Sequence, residues 1–323
     1  MSDPLEMRAV YAETLVELGQ LDDRIVLLEA DLMRTTGTKI FKDTFPQRSF
    51  NIGVAEANMV GVSAGLSSAG KVPFANTFAC FAARRAFDQF FISANYARLN
   101  VKLVGSDPGV TAALNGGTHM AFEDLGLMRN IPKLIVFEPS DPVSLRKLMQ
   151  ACVKHEGSTY MRLHRSFAKV LYDETENFEL GKGVILREGT DVALIATGVV
   201  LVNEALEAAM LLEEKGISTT VVDMHTIKPI DRDLVIHLAE TCGAIVTCEN
   251  HQVANGLGSA VAEVLVEEIP VPMLRVGVKD LFGEVGPLDY LKERFGLTAT
   301  AIVEHAEKVL EKKMTIKIEK EKL

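Results

Sequence analysis

Tryptophan is absent from the chain, and only four cysteines occur in 323 residues. Cys80, Cys152, Cys242 and Cys248 form no CxxC pair and no metal-ligand spacing, which argues against a disulfide framework or a structural zinc site. They read as reduced core fillers. Basic charge is in deficit, with 34 Lys and Arg against 44 Asp and Glu and a net charge of −10, so the clustered cations that neutralise nucleic-acid phosphates are missing. The one basic concentration, the tail EKKMTIKIEKEKL, alternates with acids and reads as a solvated end. No apolar run approaches the roughly 20 residues of a membrane span. The start, MSDPLEMRAVY, shows no basic leader before an apolar core, which makes the cytoplasm the expected location. The glycine-rich stretch 105–124, GSDPGVTAALNGGTHMAFED, lacks GxxxxGK[ST], so a nucleotide loop is not expected there. What is present is an ordinary globular balance, 48% hydrophobic and 24% charged, at a length suited to two domains.

Apolar spacing predicts a helix over 7–18 and a short buried strand over 25–28, closed by Asp31 and a polar loop. Further strands are expected at 50–54, 72–77, 101–105 and 133–137, with helical segments between them. Asp141 reads as the N-cap and Pro142 as the first residue of a helix reaching about His155, followed by a strand at 159–163. Periodicity then fades, and residues 166–190 read as an interdomain linker with the boundary near Glu179. A second series follows: strands at 192–196, 219–224, 244–248 and 273–276, helices at 200–215, 231–241 and 257–267, and terminal helices. The fold class is therefore α/β in two domains, residues 1–165 and 191–323, each a mostly parallel sheet flanked by helices. Such sheets place ligands at the carboxyl ends of their strands.

The most informative stretch is 48–89, RSFNIGVAEANMVGVSAGLSSAGKVPFANTFACFAARRAFDQ. Glu56 stands at a strand-to-helix junction among Val54, Ala55, Ala57 and Met59, where solvation is poor. An acid in that place either pairs with a neighbour or does chemistry, although an N-cap or core-edge role also fits the position. Phe78 and Phe81, three apart at the end of the next strand, are two core rings or a stacking surface for a flat heterocycle.

NIGVAEANMVGVSAGL, KVPFANTFACF and RRAFDQ together resemble the pyrimidine-binding domain of transketolases. ATG, VDMHTIKPID, CENH and GLGSAVAE resemble the transketolase C-terminal domain, so the resemblance spans nearly the whole chain. It implies a thiamine diphosphate-binding fold of the pyrimidine type and thiamine diphosphate as cofactor. Glu56 matches the glutamate that hydrogen-bonds the ring N1′ and drives the aminopyrimidine to its imino tautomer. Phe81 matches the ring stacked on the pyrimidine, Phe78 lines the same pocket, and Asp31 matches an acidic position near the aminopyrimidine. The stretch 105–124 resembles the loop that touches the sugar, and its His119 matches a histidine placed near the reacting carbon. Arg8 and Arg165 match two arginines that hold the sugar phosphate, with Thr35 where the family carries a serine. Guanidinium suits that task, being permanently charged and bidentate towards phosphate. Each of these has a plainer alternative: a turn residue for Asp31, a solvated loop histidine for His119, surface ion pairs for the arginines.

Two positions depart from the pattern. Asp107 stands where the family has a histidine donating to the substrate phosphate, and Asn115 where it has an aspartate reading sugar hydroxyls. Both put the usual pentose and heptulose phosphates in doubt as substrates. The GDG motif that holds the diphosphate through a divalent metal is also missing. The resemblance therefore implies the C-terminal subunit of a split transketolase, with Mg²⁺ or Ca²⁺ and the diphosphate held by a second, N-terminal polypeptide. The implied assembly is an α2β2 heterotetramer containing a dimer of this chain, and the implied reaction transfers a two-carbon ketol unit from a ketose to an aldose. Helices at 57–69 and 85–96 are either interface surface or sheet packing. The beta subunit of a two-oxo-acid dehydrogenase and a non-catalytic scaffold homologue remain open as alternatives.

Overall fold

An unbroken apolar run such as Ile25-Val-Leu-Leu suits a strand buried on both faces of a parallel sheet. The computed structural model, which describes residues 3–321, builds two such sheets. The chain begins β1 (Leu5–Glu6), α1 (Met7–Leu21), β2 (Ile25–Glu29), α2 (Lys39–Thr44), β3 (Ser49–Asn51), α3 (Glu56–Ser68), β4 (Val72–Phe78), α4 (Ala79–Arg84) and α5 (Phe87–Gln89). It continues through β5 (Lys102–Ser106), α6 (Asp124–Arg129), β6 (Ile135–Phe137), α7 (Pro142–Lys154), β7 (Thr159–Leu163) and β8 (Phe167–Ala168). Then follow β9 (Val184–Arg187), β10 (Val192–Ala196), α8 (Gly198–Glu214), β11 (Thr219–Asp223), β12 (Thr226–Lys228), α9 (Arg232–Cys242), β13 (Ile245–Gln252), α10 (Leu257–Glu267), β14 (Met273–Val278), α11 (Leu288–Phe295) and α12 (Ala299–Glu321).

The first sheet has the order β12-β6-β7-β5-β4-β2-β3 and is parallel except where β12 runs against β6. The second has the order β14-β13-β10-β11-β9, parallel except for β9. Alternation along β2 sorts its side chains. Ile25 and Leu27 face α1 and α7, while Val26 and Leu28 face α3, α4 and α6. In the second sheet one apolar layer meets α8 and α12 and the other meets α9 and α10. All four cysteines are buried and unpaired. Among the described residues no helix is long and apolar enough to cross a membrane.

Three departures from the sequence expectation matter for the site. The strand expected to reach Val54 stops at Asn51, because the Asn51 carboxamide oxygen accepts from the Asp31 and Gly53 amides and turns the chain. The helix expected over 85–96 breaks at Ala86 (φ −115°, ψ 5°) and resumes through α5 into a wide π-helical segment, Phe90–Tyr96, where the Asn95 carboxamide donates to the Phe90 carbonyl at 2.7 Å. Residues 166–190 carry two short strands. β8 pairs with β1 and so ties the start of the chain to its exit from β7, while β9 pairs with β11.

Candidate functional site

The strand order reverses at β2, which has β3 on one side and β4 on the other. The loop leaving β2 runs to β3 and the loop leaving β4 runs the other way to β5, so the two diverge at the carboxyl edge and leave a crevice, the usual ligand position in an open parallel sheet. Glu56 enters it from the first turn of α3, and Phe78 from the end of β4. Glu56 is only 3% exposed. The Thr77 hydroxyl donates to its Oε1 at 3.4 Å, and Arg85 Nη1 donates to both oxygens at 3.3 and 3.4 Å. The same guanidinium lies 3.8 Å from the Phe81 ring centroid. Phe78 and Phe81 meet edge-to-face at 6.0 Å, and His119 closes the corner at 5.2 Å from Phe81 and 5.7 Å from Phe78.

A flat, N–H-bearing cation thus already stacks on Phe81 and donates to Glu56. These are the two contacts an amine-bearing aromatic heterocycle requires, so the residues present fit an aminopyrimidine. Arg85 was not singled out by sequence reasoning beyond its place in RRAFDQ. Its spacing of four from Phe81 was the available signal, since residues four apart meet on one helical face. Asp31 stands exposed at the end of β2 and is tied to Asn51, whose Nδ2 donates to Asp31 Oδ1 at 2.8 Å; Asn51 is a second residue the sequence did not point to.

A second cluster forms where the loops after β5 and β7 meet, because those strands are neighbours. Arg165 Nε donates to Asp107 Oδ1 at 2.9 Å, and the Arg165 guanidinium lies 5.9 Å from the Phe78 centroid, joining this cluster to the aromatic corner. Arg8 donates to the Thr35 carbonyl at 3.4 Å and pairs with Glu6 at 2.7 Å. The Arg8 backbone N–H donates to the Arg165 carbonyl at 3.2 Å, which brings the four positions Arg8, Thr35, Asp107 and Arg165 together. Asp107 has a left-handed backbone (φ +53°) and is nearly buried. Burial pushes its carboxyl up to about 6 against the pull of the Arg165 charge and hydrogen bond and of Arg8. Its Oδ2 has no hydrogen-bond partner. Each arginine already carries a carboxylate.

The loop after β5 makes 3₁₀ turns over Gly109–Asn115, broken by a kink at Ala113 (φ +45°, ψ −114°), and over Gly117–His119. Asn115 stands exposed at its tip, between the buried Asp107 and the half-buried His119. Arg84 fastens the far side by donating to the Thr118 and Met120 carbonyls at 3.0 and 2.8 Å and pairing with Glu123. Among the described residues no three His, Cys, Asp or Glu side chains converge to hold a metal.

Two family models match the chain. "Transketolase, pyrimidine binding domain" covers residues 3–169, and "Transketolase, C-terminal domain" covers residues 181–302. The "6-deoxy-6-sulfo-D-fructose transketolase subunit SqwH" of Clostridium sp. (strain MSTE9) is 52% identical over 95% of this chain and 95% of its own length. A solved structure described as "Split gene transketolase, inactive beta4 tetramer" superposes with a TM-score of 0.89 at 46% identity, covering 95% of this chain and 99% of that one. Human transketolase is 35% identical over 94% of this chain, which spans 49% of the human protein.

Proposed function

The chain belongs to the transketolase family as a transketolase subunit, and we propose that it supplies the pyrimidine half of a thiamine diphosphate site shared with a diphosphate-binding partner, the pair transferring a two-carbon ketol unit from a ketose to an aldose. The observation that carries this reading is the buried Glu56 carboxylate reaching the same planar group that stacks on Phe81. When bound, thiamine diphosphate supplies the carbanion chemistry and electron sink. Glu56 holds or releases a proton at a ring nitrogen in a site that excludes water. Phe81 orients the ring, Phe78 walls the pocket, and His119 assists at the substrate carbonyl. Arg8 and Arg165 anchor the far end of the sugar. The matched relatives favour ketol transfer over lipoyl acylation.

The missing GDG triplet and the half-length match to human transketolase support a separate partner that holds the diphosphate and its Mg²⁺ or Ca²⁺. A relative described as an inactive β4 tetramer supports self-association of the isolated chain without turnover. Val54 and Leu114 remain exposed on loops around the crevice, and Ile92 and Tyr96 on the π-helical segment that packs beside α3; all four suit cover by neighbouring chains in an α2β2 assembly. Four unpaired cysteines suit the reducing cytoplasm.

The donor we propose is a ketose ending in a sulfonate, as the name of the Clostridium relative suggests. A phosphate monoester, with a second pKa of about 6, is largely a dianion at neutral pH, whereas a sulfonate keeps one charge. Arg8 and Arg165 are each paired with a carboxylate, which weakens their pull on any anion, so the larger desolvation cost of a dianion is less well offset than that of a monoanion.

The test is calorimetry of thiamine diphosphate with Mg²⁺, on this chain alone and with the partner, followed by turnover of 6-sulfonated and phosphorylated ketoses. Binding that requires the partner, with preference for the sulfonated donor, is expected. Tight binding by this chain alone overturns the shared site, and equal use of xylulose 5-phosphate overturns the donor assignment.

A further inference from the structure

The second domain holds the sugar-facing loop from behind. Val110, Ala112, Met120 and Phe122 of that loop are buried in one apolar cluster with Val246 and Val276 of the second sheet and Leu201 of α8. The contact arises because β13 continues past its last pairing with β10 at Cys248 as far as Gln252, whose N–H donates to the Phe122 carbonyl at 2.9 Å. Asn250, on the same extension, turns its side chain into the loop. Its Oδ1 accepts from the Val110 N–H at 2.9 Å and its Nδ2 donates to the Pro108 carbonyl at 3.0 Å. The residue is 2% exposed, and its own carbonyl accepts from Arg162 Nη2 at 3.0 Å.

The residue between those two anchor points is Gly109, with φ +56°; a Cβ there would lie 2.1 Å from Asn250 Oδ1. At the loop's other end a Cβ on Gly117 would lie 2.0 Å from the Gly283 carbonyl oxygen. The loop is therefore gripped at both ends by the second domain.

We propose that Asn250 is a positioning residue for the sugar: its carboxamide staples Pro108 to Val110 and so fixes the backbone between Asp107 and His119, by which the second domain sets the fit of the ketose without touching it. This rests on the reading of 105–124 as the sugar-facing loop. A carboxamide donates at one end and accepts at the other, which neither aspartate nor a small apolar residue reproduces. Without it, two buried backbone groups lose their partners and the left-handed Asp107 next to them loses its support. Glu56, Phe78 and Phe81 ride on α3, β4 and α4, so the cofactor half of the site keeps its geometry.

The test uses Asn250→Ala and Asn250→Asp, with Gly117→Ala as an independent variant that displaces the loop from its other end. In the isolated chain, amide hydrogen exchange across 108–117 is expected to accelerate at least tenfold. In the complex with the partner, KM for the donor ketose is expected to rise about tenfold, since small misplacements of substrate-positioning groups are costly, while the calorimetric Kd for thiamine diphosphate stays within about twofold. If Asn250→Ala fails to fold, Asn250→Asp and Gly117→Ala carry the test. Unchanged exchange in folded variants overturns the staple. Faster exchange with unchanged KM overturns its role in sugar fit, and an equal rise in KM and cofactor Kd reduces Asn250 to general structure. If the wild-type complex turned over no ketose, the ketol-transfer reading would fall, and the exchange measurement would still decide whether the staple exists.

Discussion

Glu56 sits in a nearly dry place and accepts from Thr77 and Arg85, and the Arg85 guanidinium also lies over the Phe81 ring. Glu56→Gln preserves the shape and removes the ability to exchange a proton. Activity of the assembled enzyme is expected to fall by about 100-fold or more, the usual weight of a positioned acid or base. Retention within tenfold would show that the proton moves through another group. Asp107 gives the second prediction at this scale. Asp107→Asn keeps a hydrogen-bonding side chain on Arg165 and removes its counter-charge, freeing the guanidinium for a dianion. The ratio of kcat/KM for phosphorylated over sulfonated ketose should rise about tenfold, and no change in that ratio would detach Asp107 from donor choice. Glu56, Phe78, Phe81 and His119 were legible in the sequence because their motifs are local, and the structure gathers them in one corner. Asn250 was not legible: it meets Val110 from 140 positions away, and nothing near it in the sequence marks that pairing.

Strand and helix segments followed from the sequence wherever hydrophobic period and caps agree. Residues 159–163, 192–196 and 257–267 carry the expected elements, and α7 opens on Asp141 with a reciprocal cap through Ser144. Misreadings fall where a side chain redirects the backbone, as Asn51 does after β3, or where pairing is non-local. β12 belongs to the second half of the chain and lies at the edge of the first sheet, a crossing no periodicity encodes. Near that junction β7 carries Arg162, wholly buried. It pairs with Asp124 and Glu138 at 2.8 Å each and donates to the Asn250 carbonyl, so one cation locks β6, β7, α6 and β13 together. Arginine is seldom fully buried, so its place in a strand gave no warning. Arg162→Met would leave two carboxylates unpaired in the core, at a cost of about 3–5 kcal/mol. A urea midpoint within experimental error of wild type would mean that the carboxylates find other partners.

At the scale of the whole molecule, burial sets how stability responds to pH. It pushes the Glu29 carboxyl up to about 8, Asp223 and Glu249 to about 7, and Asp107 to about 6. It also pushes His164, His225 and His251 down to about 4. The raised acids give stability that is complete below their unfolded values near 4 and is lost as pH rises through 6 to 8, because the folded chain still holds protons that the unfolded chain has released. The depressed histidines act in the other direction. Between about 4 and 6.5 the unfolded chain holds protons on histidines that stay neutral when folded, so their contribution grows as pH rises to 6.5. From about 4.5 to 6 the two slopes oppose and stability should be nearly flat. Above 6.5 the histidine slope ends and the acid slope continues, so stability should fall between pH 6.5 and 8 by an amount on the order of a few kcal/mol and level off beyond. Urea denaturation at pH 5, 6.5, 7.5 and 8.5 measures the curve. Glu29→Gln keeps an acceptor for the Thr36 and Thr38 hydroxyls that bond Glu29 and removes the highest-titrating of these four acids. In that variant the decline should end nearer pH 7 than 8, whereas a decline unchanged in extent would assign it to other groups.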